Sequence, residues 1–313
     1  MSYRPVAWIS HPDCLRHEMG AMHPECPERL NAISDRLRIS GLYDFLQHHQ
    51  APLAKREQLA WVHSEAHLDR VFHADTRGGP VAIDGDTQQS EHTLNAALRA
   101  AGAGILGVDL VLDGKAGLAF CAVRPPGHHC ERDRAMGFCF FNNVAVAAAY
   151  ALSRGLKRIA ILDFDLHYGN GTADIFKGDD RVWLFSTYQN PLYPHWVGAP
   201  EARNLVDVEL PAYAGSAVFR QAVSERWLPL LETLRPQLIL VSAGFDAHAQ
   251  DPLGDLRLGY DDFRWLGSVI AGIAESCCQG RVVATLEGGY EPHALARSVE
   301  SFLLPFVGDG LLA

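Results

Sequence analysis

The 313-residue sequence lacks a continuous run of the roughly 18 apolar residues that a membrane span needs. Met1 to Ser10 has no basic start followed by a long apolar segment, so no secretory signal is read there. Cysteine is sparse and odd in number. The seven residues Cys14, Cys26, Cys121, Cys130, Cys139, Cys277 and Cys278 form no CxxC pair. This excludes a paired disulfide framework and the usual structural-zinc spacings, and it fits a reduced, cytoplasmic chain. Positive charge is in deficit: 27 Lys+Arg face 37 Asp+Glu, a formal net charge of -10. That excludes a large electrostatic footprint on nucleic acid and is compatible with cationic substrates. Repeats, low-complexity tracts and composition shifts are absent too, so one domain over residues 1–313 is expected.

What is present is an alternation of short apolar runs and helical patterns. Gly117–Val123, Arg158–Leu162, Val182–Ser186, Gln237–Ser242 and Arg281–Leu286 read as strands. Pro27–Ile39, Ala96–Leu112, Asn143–Ser153, Val218–Leu234, Asp261–Ser276 and His293–Leu303 read as helices, and Thr172–Phe176 as the start of one. Such alternation predicts an α/β fold with a mostly parallel sheet covered by helices.

Parallel sheets place ligands outside the carboxyl ends of their strands. Four of the predicted strands end in chemistry-bearing residues. Val123 leads into Arg-Pro-Pro-Gly-His-His, Leu162 into Asp-Phe-Asp-Leu-His, Val241 into Ser-Ala-Gly-Phe-Asp-Ala-His, and Leu286 into Glu-Gly-Gly-Tyr. Asp163, Asp165 and His167 lie two apart, so in extended chain they share one face. A buried ion-pair network is the plain reading of such a cluster; a cation site is the other. Asp165, His167 and Asp246 supply two carboxylates and an imidazole, a set suited to a hydrolytic zinc with an open position, and also to iron(II), manganese or cobalt. His128 and His129 follow a rigid Pro-Pro-Gly turn and are candidates for acid–base work. Tyr290, after Gly288 and Gly289, is a candidate hydrogen-bond donor to a developing oxyanion. Phe138 and Tyr193 are candidate walls of a narrow channel.

The ordered set HPECPERL (23–30), RPPGHH (124–129), GFCFFNN (137–143), DFDLHYGNGT (163–172), SAGFDAH (242–248), DPLG (251–254) and LEGGY (286–290) resembles the zinc-dependent histone deacetylase superfamily, its class II and bacterial amidohydrolase branches above all. The resemblance implies a single-domain arginase/deacetylase-type fold with about eight strands. It implies one catalytic zinc on Asp165, His167 and Asp246. It implies that His129 is the general base, His128 its electrostatic neighbour, and Asp163 and Asn170 their orienting partners, with Tyr290 polarising the substrate carbonyl. Structural potassium beside Asp163 and Ser186, with the backbone of Asp165 and His167, is implied as well. So is a channel at Gly137, Phe138, Tyr193, Leu253 and Gly289.

The expected activity is hydrolysis of N-acyl amides, foremost deacetylation of acyl-lysine in proteins or peptides. An acetylpolyamine or other small-molecule amidohydrolase is the alternative, and a non-catalytic acyl-lysine-binding protein a third reading. No nucleic-acid or membrane partner is expected, and the oligomeric state is open. Tyr168 departs from the usual second histidine of the DxDxHH pattern, and Leu253 stands where a polyamine-selective branch carries glutamate. Glu18, Asp84, Asp86 and Glu91 are loop carboxylates that a cationic substrate would use instead.

Overall fold

A computed structural model of the chain describes residues 4–195, 199 and 201–308. Among these residues ten strands form: β1 (Val6–Ser10), β2 (Leu46–Gln50), β3 (Val81–Ala82), β4 (Gln88–Gln89), β5 (Leu118–Cys121), β6 (Ile159–Asp163), β7 (Val182–Gln189), β8 (Leu205–Leu210), β9 (Leu238–Ala243) and β10 (Val282–Leu286). Eight make one sheet in the order β2-β1-β5-β10-β9-β6-β7-β8, and every pairing in it is parallel. β3 and β4 form a separate antiparallel pair. Strands β5, β6, β9 and β10 are buried along their whole length. Covered on both faces, they read as unbroken apolar runs rather than alternations. They are also adjacent in the sheet, so the four chemistry-bearing strand ends emerge side by side.

The predicted helices form, Asn143–Ser153 at its expected bounds and the others with one or both ends shifted: Glu28–Ile39, Thr93–Leu112, Asn170–Phe176, Tyr260–Cys278 and Pro292–Val307. The Val218–Leu234 pattern folds as Ser216–Ala222 and Leu228–Leu234, joined by a widened turn at Val223–Trp227. Pro229 has no N–H to continue the regular ladder there. Sequence patterning missed β1, β2 and β8. β2 (LQHHQ) is an exposed edge strand whose polar residues carry no strand signal; its register comes from β1. β7 runs beyond the expected Ser186 to Gln189, because β8 pairs with it that far.

Helix Thr93–Leu112 has the length and mean hydropathy of a membrane span, although Asn95, Arg99 and Asp109 interrupt its apolar run; it is a core helix, mostly buried. A Cβ at Gly107 would lie 2.8 Å from Val283 on β10, so glycine lets it seat closely on the sheet.

The carboxyl end of the sheet is joined to the N-terminal segment by charge. Glu25 is fully buried and pairs with Arg29 (Nη1–Oε1 2.9 Å) and, through both of its oxygens, with Nε and Nη2 of Arg124 (Nη2–Oε2 2.7 Å). Arg124 also donates to the Cys14 and His17 carbonyls, while Arg29 donates to the Glu287 and Gly289 carbonyls. Burial opposes the Glu25 carboxylate, but the two guanidiniums outweigh it and hold its pKa at about 2, against an ordinary 4.5. A depressed carboxyl contributes stability above its unfolded pKa and loses it as pH falls toward the folded one. Glu25→Gln strands two buried cations, and we expect a loss of about 3–5 kcal/mol at neutral pH in denaturant titrations. The gap to wild type should close as pH falls from 4.5 toward 2; a gap that stays constant would mean Glu25 acts by packing alone.

Candidate active site

The Asp-Phe-Asp-Leu-His segment is folded by its own acids. Asp163 closes β6 and accepts the Asp165 N–H (3.1 Å). Asp165 accepts the N–H groups of His167 (2.9 Å) and Gly288 (2.8 Å). Asp246, from the β9 loop, accepts the Leu166 N–H (2.9 Å). Each carboxylate thus spends at least one oxygen on backbone and is fixed in place. Glycines make the room: an added Cβ would sit 2.0 Å from Asp165 Oδ2 at Gly244 and 2.2 Å from Asp246 Oδ2 at Gly288.

Asp165, His167 and Asp246 each turn a ligand atom inward, all within 4.8 Å of one another. His167 Nδ1 lies 3.1 Å from Asp165 Oδ1 and 3.2 Å from Asp246 Oδ2. Burial, then the Asp165 charge, pushes Asp246 up to about 6. Burial opposes charge on His167, yet its bonds to Asp165 and Asp246 raise it to about 10. Two anions converging on one buried point favour a positive charge there. The oxygen- and nitrogen-donor set and the glycine-lined cradle fit a zinc-sized cation.

The two histidines occupy opposite electrostatic settings. His128 Nδ1 faces Asp163 Oδ2 at 3.0 Å, and its Nε2 lies 3.7 Å from Asp165. Burial opposes its charged form, but Asp165 and Asp163 prevail and raise its pKa well above the usual value. His129 Nδ1 instead faces the neutral Asn170 amide, Oδ1 at 2.7 Å. Burial and the charges of His128 and His167 push it well below. One ring is held charged and its neighbour, 4.0 Å away between centroids, neutral.

Residues expected to line a channel lie near this pair. The Tyr193 ring lies 5.1 Å from His129 and 6.1 Å from His167, and the Phe138 ring 5.8 Å from Tyr290. Gly137 has φ +56, and a Cβ there would meet His129 Cδ2 at 2.6 Å, so only glycine fits. Asp251 accepts the N–H groups of Tyr290 (2.6 Å) and Leu253 (3.0 Å), which ties the two loops through one carboxylate. The Arg29 guanidinium lies 4.9 Å from the Tyr290 ring centroid. The β3–β4 turn packs against this group too, because Thr87 Oγ1 accepts the Phe138 N–H (3.0 Å). Asp84 and Asp86 come with it, whereas Glu18 and Glu91 are simply exposed. Tyr168 is buried, with its hydroxyl on Asp207 (2.9 Å) rather than toward the cluster.

Sequence reasoning missed the residues that hold these loops. Glu287 accepts the Gly127 and His128 N–H groups (2.7 and 3.2 Å), and burial lifts it to about 7. Asp251, Glu25, Arg29 and Arg124 were likewise unread. All lie inside the matching motifs; their only signal was charge within otherwise apolar or glycine-rich blocks. A second cluster, His63, His67 and Cys130, also converges within 4.8 Å. His63 Nε2 accepts the Asn142 N–H (3.0 Å), so its Nδ1 must donate to the Glu131 carbonyl (3.0 Å). His67 Nε2 donates to the Phe140 carbonyl (2.9 Å). These ring nitrogens are committed to backbone, and the cluster is a clamp rather than a ligand set.

A family model described as "Histone deacetylase domain" matches residues 23–305. The chain is 39% identical over 291 residues to "Histone deacetylase-like amidohydrolase" of Pseudomonas aeruginosa, covering 90% of this chain and 75% of that one. It is 36% identical over 327 residues to human "Polyamine deacetylase HDAC10", covering 97% and 48%. The solved structure "Crystal Structure of HDA15 HD domain" superposes with a TM-score of 0.90 at 29% identity, covering 98% of this chain and 90% of that one. Motif order, sheet topology and these matches have one explanation: the chain belongs to the histone deacetylase family and is a deacetylase-type amidohydrolase.

Proposed function

We propose that the protein is a zinc-dependent deacylase whose substrate is an acyl-lysine side chain in a protein or peptide. The observation that carries this reading is the unequal pair: His128 on a carboxylate and His129 on an amide, both beside the Asp165, His167 and Asp246 cluster. Zinc on those three residues, when bound, supplies Lewis-acid polarisation of the substrate carbonyl and acidifies water.

The chain's own groups account for the rest. His129, kept neutral, takes the proton of the attacking water and returns it to the leaving amine. His128 remains charged on Asp163 and stabilises the negative charge that develops nearby. The Tyr290 hydroxyl donates to the carbonyl oxygen as it becomes an oxyanion. Burial raises the Tyr290 pKa well above 10, so the phenol keeps the proton this role requires. Phe138 and Tyr193 line an apolar path for the lysine stem, with Gly137, Gly289 and Leu253 beside it.

Structural potassium is assigned to Asp163 and Ser186, with the backbone carbonyls of Asp165 and His167. In support, Asp163 and Ser186 are register partners in β6 and β7, and the buried Ser186 hydroxyl has no hydrogen-bond partner. The free cysteines support a reducing compartment, the cytoplasm by preference. Acetylpolyamine hydrolysis is the second reading. It is favoured by the buried, unpartnered Tyr193 hydroxyl in the channel and by the similarity to the human polyamine deacetylase. The apolar Leu253 at the rim favours acyl-lysine.

Three outcomes are expected. Tyr290→Phe lowers kcat by about 10²–10³ on an acetyl-lysine peptide, the usual effect of removing one oxyanion donor; equal turnover would remove Tyr290 from the mechanism. Gly288→Ala forces a methyl against Asp246 and Asp165 and weakens zinc affinity by about 10–100-fold or more in competition with a chelating dye. Unchanged affinity there would displace the metal from this cradle. Side-by-side assays should give a higher kcat/KM for the peptide than for acetylated spermidine; a polyamine advantage above about tenfold, or about 1.4 kcal/mol, would replace the first reading with the second.

A further inference from the structure

The Asn170 side chain has two faces with opposite chemistry, and the structure determines which points where. Its Oδ1 meets His129 Nδ1 at 2.7 Å. Its Nδ2 is surrounded by acceptors: Glu131 Oε1 at 2.8 Å, Met136 Sδ at 3.4 Å and the His129 carbonyl at 3.4 Å. A carboxylate only accepts, so the amide N–H₂ must face Glu131. Rotating the amide by half a turn would set its oxygen against a carboxylate and its N–H against His129 Nδ1.

That orientation sets the tautomer of His129. An oxygen at 2.7 Å demands a proton on Nδ1. The neutral ring then keeps its lone pair on Nε2, which no hydrogen bond reaches among the described residues. A flipped amide would demand the reverse, with a proton on Nε2 and no base there. Asn170 cannot enforce the choice, because an amide donates and accepts equally well. Of the acceptors at its Nδ2, Glu131 is charged and makes the shortest contact, 2.8 Å against 3.4 Å for Met136 Sδ and the His129 carbonyl, so Glu131 supplies most of the asymmetry.

Glu131 is itself fixed. Its carbonyl accepts from His63 Nδ1 (3.0 Å), whose other ring nitrogen holds the Asn142 N–H (3.0 Å). Its own N–H donates to the Arg134 carbonyl (2.9 Å). The histidine clamp thus ties both ends of the 131–142 loop and presents the carboxylate to Asn170.

We propose that Glu131 is a positioning residue: by accepting the Asn170 amide N–H it fixes that amide's orientation and thereby holds His129 as the Nδ1–H tautomer, with Nε2 free to act as the base. The catalytic part rests on the proposed role of His129; the tautomer part stands on hydrogen bonding alone.

The two parts separate in one experiment. Metal-free protein carrying ¹⁵N-histidine is examined by long-range ¹H–¹⁵N correlation, which reads the His129 tautomer without any activity. The zinc-loaded protein is assayed in parallel. Wild type should show Nδ1–H. Glu131→Lys presents a donor to Asn170, so the amide turns, His129 shifts to Nε2–H, and kcat falls about 100-fold with KM within about twofold. Glu131→Gln can still offer an oxygen and should rescue both tautomer and turnover relative to the lysine variant, which a loss by misfolding would not predict. Nδ1–H retained in Glu131→Lys overturns the proposal, as does a glutamine variant as impaired as the lysine one. A switched tautomer with undiminished turnover supports the positioning role and removes His129 as the base.

Discussion

One carboxylate shared by two buried guanidiniums joins the parts of this molecule that carry its chemistry. Glu25 lies at the start of the N-terminal helical region, Arg124 opens the histidine loop, and Arg29 reaches the Glu287 and Gly289 carbonyls of the β10 loop. All three side chains are fully buried, so none is free to relax into water if a partner is lost. The positions of His128, His129 and Tyr290 relative to the metal-capable cluster depend on it. A purely apolar contact would bury the same loops but would not specify their register, because it has no direction.

Around that anchor the site repeats one device: a buried acid that accepts backbone N–H groups across two loops. Asp246 holds Leu166, Asp165 holds Gly288, Asp251 holds Tyr290 and Leu253, and Glu287 holds Gly127 and His128. Each joins segments far apart in sequence. Burial raises the proton affinity of several of these acids, and a bound cation at Asp165, His167 and Asp246 would relieve the crowding of negative charge. The same neighbourhood sets adjacent residues apart: Asp165 and Asp163 raise the His128 pKa, while burial and the charges of His128 and His167 lower that of His129.

Much of this is legible in the chain's own residues. The apolar runs of β5, β6, β9 and β10 have no alternation because both faces are covered, and the polar residues that interrupt them lie where a parallel sheet binds ligands. The edge strand β2 and the β7–β8 extension are not legible there, since their polar or mixed sequences become strands only by pairing with a neighbour. Helix Thr93–Leu112 has a membrane-like mean hydropathy, but it is a core helix whose glycines let it seat against Pro52 and Ala54, Ala147, and Val283 of β10.

The sequence by itself determined the α/β class, the ordered motifs and the identities of the groups at the four strand ends, because strand periodicity and metal-donor chemistry are local properties. Tertiary structure alone decided which acids hold backbone across loops and which also converge as candidate metal ligands, that Glu25 serves two arginines at once, and which way the Asn170 amide faces. Those outcomes depend on distances between residues scores of positions apart. A carboxylate's proton affinity and an amide's orientation are set by whatever folding places within about 3 Å of them.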